Sequence, residues 1–565
     1  MGGATSECHQ KSAFVSASLT CHGRQSMKVL TRVLTGTTLV TGLFSLVMQS
    51  TPAFAANTVQ HVLLVSIDGF HAVDLEICVA KGTCPNLEKL TDHGFTYTNA
   101  STTKPSDSFP GLLAQITGGT SKSTGVFYDD SYDRKLFAPL CASGPGDEVN
   151  LAENTEFNLH SIDGGKSSSL TGLNAGVAID PNNLPSQKVS GICTPLWPHN
   201  FIRTNTVFGV LHKHGFRTAW SDKHPAYDII NGNDPDTQPV NGPGTNVDDF
   251  FAPEINSDLS AANISLIHSV GLSSTAPDPT PISGDDFTKT LDGVEWYDGI
   301  KVQATLNQIN GLDHTGKIGL GTPRLFGMNF QSVSVGQKLK GDGYVDPVAT
   351  PSAGLANAIK FVDKSIGQMI DALNKRGLAE RTVVIVSAKH GQSPIDVSKR
   401  KALDDGMVIK GPIGANFAFD IGDDAVLIWL KDNTGGKTAG AVAALNGFAG
   451  DTGIGEWLSG PLLKLSYQDP AKDSRTPDII GIAKIGTIYT GGSKIAEHGG
   501  FNEDDTHVAL LVAHPDLKER SIDTAVATTQ IAPTILKVLG LEPQELEAVR
   551  LEDTQVLPGL FRERD

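Results

Sequence analysis

The chain has 565 residues, 39% of them hydrophobic and 19% charged, with 60 glycines and 30 prolines. That is the composition of a globular protein with a large core, and it excludes disordered, collagen-like and coiled-coil classes. A formal net charge of −17 repels nucleic-acid backbone and anionic lipid, so no nucleic-acid duplex and no membrane surface is an expected partner.

Met27 reads as the start of a signal peptide. Lys28 and Arg32 precede an apolar stretch from Leu39 to Val47, and Ala53-Phe54-Ala55 closes it with small residues. The apolar run is too short to span a bilayer. Residues 1–55 are therefore expected to be a leader cleaved near Ala55/Ala56, giving a secreted or periplasmic mature protein. Its loss removes four basic and one acidic side chain and moves the net charge to −20. Of the six cysteines, Cys8 and Cys21 precede Met27. In an oxidising compartment the other four invite disulfides, Cys78 with Cys84 by their short spacing and Cys141 with Cys193 as the remaining pair.

Val62 to Ile67 (VLLVSI) is a continuous apolar run ending in Asp68-Gly69, the pattern of a central parallel strand that delivers a carboxylate to its C-terminal edge. The segment TKPSDSFPGLLAQITGG then places Ser106 and Ser108 around Asp107, ahead of a helix carrying Leu112, Leu113 and Ile116. A hydroxyl there either caps the helix or meets an anion at the helix N-terminus. Residues 134–205 lack periodicity and read as a loop-rich insertion. A helix over 206–214 and a strand over 217–220 lead to Ser221-Asp222-Lys223-His224-Pro225, where Asp222 and His224 are either substrate-binding residues or part of a solvated turn. Residues 225–325 form a cap insertion with a helix over 295–309. Leu325 to Phe330 is a buried strand. Gly354 to Arg376 is an amphipathic helix with Leu355, Ile359, Val362, Ile366, Ile370 and Leu373 on one stripe. The strand Thr382 to Val386 then runs into Lys389-His390-Gly391. A second insertion covers 401–495, His498 follows in a loop, and a strand at 508–512, a helix at 528–541 and a tail at 546–565 complete the chain. Alternating strands and helices predict an α/β fold, a mostly parallel sheet with helices on both faces, in one catalytic domain over 56–545.

The strand ending in Asp68-Gly69, the Ser108-Phe109-Pro110 helix start, the His390-Gly391 and His498-Gly499 loops and the Thr529-Gln530-Ile531-Ala532-Pro533-Thr534 helix together resemble the type I phosphodiesterase/nucleotide pyrophosphatase branch of the alkaline phosphatase superfamily. The resemblance covers residues 60–120, 325–395 and 495–545. It implies hydrolysis of a small phosphate ester or phosphodiester, with Ser108 as nucleophile and metal ligand, and with Asp68, His390 and His498 as ligands of a divalent metal, zinc in the family. Family members hold two zinc ions through six side chains, and the pattern here departs from theirs. Lys389 stands in a ligand Asp position, Val333 and Gln337 stand in ligand Asp and His positions, and Gly111 takes the place of a phosphate-steadying Asn. An ammonium repels zinc. The expectation is one metal, with a second only if Asp222 or His224 is recruited; the alternatives are Lys389 acting as a fixed positive charge in place of a metal, or a catalytically silent binding protein on the same fold.

Overall fold

The computed structural model describes residues 59–151 and 154–561. Met27, Cys8, Cys21 and the expected cleavage site at Ala55/Ala56 lie outside them. The core is an eight-stranded sheet built from β1 (His61–Ile67), β2 (Gly94–Tyr97), β3 (Ala219–Ser221), β4 (Asp249–Phe251), β5 (Leu325–Phe330), β6 (Thr382–Ser387), β7 (Leu510–Ala513) and β8 (Arg520–Ile522), in the spatial order β8-β2-β7-β6-β1-β5-β3-β4. β1 pairs in parallel with β5 and β6, and β5-β3-β4 continue in parallel, while β7 runs antiparallel to both of its neighbours. The fold is thus α/β with a mostly parallel sheet.

Every residue of β1, β5 and β6 is buried, which is why these strands read as unbroken apolar runs. The twofold alternation of a strand divides them between two cores. Val62 and Leu64 of β1 point into one core with Leu112, Leu113 and Ile116 of α1 (Ser108–Thr117). Leu63, Val65 and Ile67 point into the other. There they meet α4 (Ala353–Lys375), which buries Leu355, Ile359, Val362, Ile366, Met369 and Leu373 and lies beside α2 (Leu291–Ile309). Burying one such aliphatic side chain contributes roughly 1.5–3 kcal/mol, so the two layers lock the sheet and with it the loops at its edge. Between α2 and α4, α3 (Ser332–Lys338) follows β5 directly, and α5 (Ile531–Val538) closes the first core beside α1.

The insertions divide differently from the sequence reading. Within 225–325, β4 joins the central sheet as its outermost strand, so that stretch is not only a cap. Residues 401–495 contain an antiparallel sheet in the order Phe417–Gly422, Ala425–Leu430, Ile479–Ala483, Ile454–Ser459. Cys78–Cys84 and Cys141–Cys193 both form disulfides. Among the described residues, no helix is long and apolar enough to cross a membrane.

Candidate active site

Because β1, β3, β5 and β6 are parallel, the residues just past their C-termini gather on one edge. Asp68 follows β1, Asp222 and Lys223 follow β3, Gln331 follows β5, and Lys389 and His390 follow β6. Helix α1 points its first turn at the same place. Its cap is the Asp107 carboxylate, which accepts the Phe109 amide at 2.9 Å, and Gly118 ends the helix in the left-handed conformation at φ 80°. Ser108 is therefore not the cap, and its hydroxyl is left for other partners.

Those partners are a base and a cation. Ser108 Oγ lies 3.3 Å from His390 Nε2 and accepts from Lys223 Nζ at 3.0 Å. His390 Nδ1 sits 2.7 Å from the Gly391 carbonyl, which can only accept. Nδ1 therefore carries the hydrogen and Nε2 turns its lone pair toward Ser108. Burial lowers the His390 pKa, only partly offset by Asp68, and keeps the ring neutral. A hydroxyl has one hydrogen and two lone pairs, so donating to His390 while accepting from Lys223 uses it consistently.

Asp68 lies beneath. It accepts from Asn329 Nδ2 at 2.8 Å and Gln331 Nε2 at 2.6 Å, with His390 Nε2 at 3.6 Å and Lys223 Nζ at 3.8 Å. Burial opposes its charge, yet the Lys389 and Lys223 ammoniums hold the carboxyl well below the usual carboxylate range. Lys389 is 0% exposed. Its Nζ donates to Asp222 at 2.9 and 3.2 Å and sits 4.2 Å from the centre of the Tyr227 ring. Burial lowers its pKa, while Asp222 and Asp68 hold the charge in place. Asp222 also accepts from Trp220 Nε1 and the Lys223 amide. The Asp222–Lys389 pair is thus fully buried, and among the described residues no side-chain hydrogen bond joins it to Ser108, whose partners are His390 and Lys223. The His498 ring lies 4.0 Å from the His390 ring, centre to centre and tilted by 47°, with its Nδ1 3.6 Å from Asp107 Oδ1.

Asp68, Ser108, His390 and His498 accordingly come together, with Lys389 and Asp222 below them. His224 pairs with Glu254 at 2.8 Å and lines the same cavity as Lys223 and His498. Glu156 is buried near this pair, and burial together with the Glu254 charge pushes its carboxyl up to about 8. A carboxyl raised in the folded state contributes stability that is full below its unfolded value of 4.5 and is lost as pH rises toward 8. The denaturation midpoint should fall across that window in the parent and run flatter in Glu156→Gln; parallel pH profiles would refute the assignment.

Gly111 has a packing reason for its identity. A Cβ there would stand 2.1 Å from the Lys389 carbonyl oxygen, so only glycine lets α1 approach the β6 loop. Val333 packs in the core, and Gln337 donates to the Gly69 carbonyl at 2.8 Å, its side chain closing over Gly69, which adopts φ 80°. Sequence reasoning missed Lys223, Asn329 and Gln331. The available signal was position alone: Lys223 lies between the two residues singled out after β3, and Asn329 is the polar residue of the apolar LFGMNF run.

Among the described residues, no three His, Cys, Asp or Glu side chains are placed to hold one ion. The Asp68 oxygens are taken by two amide donors, and the Lys223 ammonium stands between Asp68 and Ser108. A dication about 4 Å from that ammonium would meet a repulsion of roughly 8 kcal/mol at an effective dielectric of about 20. These residues do not fit the expected zinc centre. Above them opens a cavity of about 350 Å³ whose lining includes Lys223, His498, Gln331, Asp129 and Lys338.

A family model for type I phosphodiesterase / nucleotide pyrophosphatase matches residues 62–508. Among solved structures, murine ectonucleotide pyrophosphatase / phosphodiesterase 5 aligns with TM-score 0.50 at 14% identity, over 86% of this chain and 96% of its own. The wild-type alkaline phosphatase PafA aligns with TM-score 0.57 at 14% identity, over 86% of this chain and 97% of its own. Comparison with curated proteins finds no match. The two structural likenesses are likenesses of fold, and the family match extends from β1 through the His498 loop: the chain belongs to the type I phosphodiesterase/nucleotide pyrophosphatase family of phosphoric ester hydrolases.

Proposed function

We propose that the chain hydrolyses a small phosphodiester or phosphate ester by two displacements through Ser108. The observation that carries this reading is the position of Ser108 Oγ between the free lone pair of His390 Nε2 and the Lys223 ammonium. His390 takes the hydroxyl proton as Oγ attacks phosphorus, and the P–O bond to the leaving group breaks. Water then opens the phosphoserine, and Ser108 Oγ recovers its proton from His390. The α1 N-terminus adds its partial positive charge beside the transferred group. The two disulfides support export to an oxidising compartment.

Stereochemistry at phosphorus tests this reading. Two in-line displacements retain configuration, so turnover of a chiral phosphorothioate diester in isotopically labelled water should give retention. Inversion would mean that water attacks phosphorus directly, and Ser108 would lose its role.

A further inference from the structure

We propose that this site transfers its phosphoryl group without a metal ion, and that Lys223 is the resident cation. The proposal rests on the reading of Ser108 as nucleophile. Lys223 Nζ reaches Ser108 Oγ at 3.0 Å and Asp68 Oδ2 at 3.8 Å, so it bridges the nucleophile and the strand-end carboxylate. Lys223 also lines the cavity, with a side chain 14% exposed. Ser108 is 1% exposed and does not line the cavity, so of the pair Lys223 is the group open to an entering phosphate anion, in a lining where Lys223, Lys338 and Lys494 face the carboxyl groups of Asp129, Asp130, Asp423 and Glu497. The four-carbon stem lets the ammonium follow the anion as it seats, and the three N–H donors can bind its oxygens while Oγ attacks. Below, Lys389 is tied to Asp222 and stacked on Tyr227, so it holds positive charge under Asp68 without competing for the substrate. Asn329 and Gln331 occupy the Asp68 oxygens, so Asp68 acts as the counter-charge that positions Lys223.

The step balances without a co-reactant. Ser108 Oγ forms the new P–O bond and passes its proton to His390 Nε2, while the leaving oxygen departs with its electron pair and takes a proton from water in the cavity. The second water attacks phosphorus, Ser108 Oγ leaves with the P–O pair and regains the proton from His390, and the proton shed by that water replaces the one the leaving group took. The net change is addition of one water across one P–O bond.

The test uses the full chain dialysed against a strong chelator, with metal content measured by mass spectrometry and turnover followed on a nitrophenyl phosphodiester. The metal-depleted protein should retain its turnover. Lys223→Met should then lose about 10²–10³-fold in rate, as expected when one preorganised electrostatic contact is removed, while Lys223→Arg should recover part of it. Inorganic phosphate should inhibit the depleted parent competitively, and Lys223→Met should need at least about tenfold more phosphate for the same inhibition. Loss of turnover on depletion with recovery on adding zinc would overturn the proposal and leave Ser108 as nucleophile. Unchanged turnover and phosphate inhibition in Lys223→Met would overturn it as well. A parent that hydrolyses no phosphoric ester before depletion would overturn the Ser108 reading, and the proposal with it.

Discussion

Ser108→Ala should lower turnover of a chromogenic phosphodiester on the order of 10⁶-fold, the scale seen when the nucleophile of a hydroxyl–imidazole pair is removed. The substitution deletes one atom, and that atom is the shared partner of His390 Nε2 and Lys223 Nζ. The fold should survive it. Asp107 rather than Ser108 caps α1, and Phe109, Leu112 and Leu113 keep the helix in the core. Losing a hydrogen bond of this kind costs about 0.5–1.5 kcal/mol, a small change in a thermal scan. Product formation in Ser108→Ala within tenfold of the parent would remove Ser108 from the mechanism.

Asp222→Ala should cost about 3–5 kcal/mol of stability, read as a lower denaturation midpoint at neutral pH. The size follows from what it leaves behind, since removing one partner of a buried ion pair strands the other charge. Lys389 has its ammonium against Asp222 and the Tyr227 face, with no exposure to water. Replacing both partners, as in Asp222→Ala with Lys389→Met, should recover most of the loss, because the penalty lies in the unpaired charge and the two sites are in contact. A single variant as stable as the parent would show that Lys389 finds another partner. Activity is expected to fall together with stability, since the Asp222 backbone leads directly into Lys223.

These two residues also show where sequence reasoning reached and where it stopped. Lys389 is visible in the sequence as an ammonium in a carboxylate position, and one of the alternatives drawn from it is a fixed positive charge in place of a metal. The structure places it under the site, because Asp222 arrives from β3 and offers it a counter-charge. The residue that does reach Ser108 is Lys223, one position further along the same turn. In a turn after a strand, consecutive side chains diverge, so which one points at the nucleophile depends on the strands on either side. Here those are β5 and β4, and β4 comes from a segment read as cap.

By itself, the sequence determined the central strands and the layers that cover them. β1, β5 and β6 need apolar residues on both faces, and α4 needs an apolar stripe; such periodicities survive without knowledge of neighbours. It also determined that Asp68, Ser108, His390 and His498 lie at element ends, because strand ends and helix starts are written locally. The tertiary structure alone decided what those groups touch. Whether Ser108 caps a helix or faces an imidazole, whether Asp68 meets other ligand-type side chains or two amides and a lysine, and whether Lys389 or Lys223 lies against Ser108 all depend on side chains from strands far apart in the chain. Charge at a buried site is set by the sum of such neighbours, and that sum exists only once the sheet has brought them within a few ångströms.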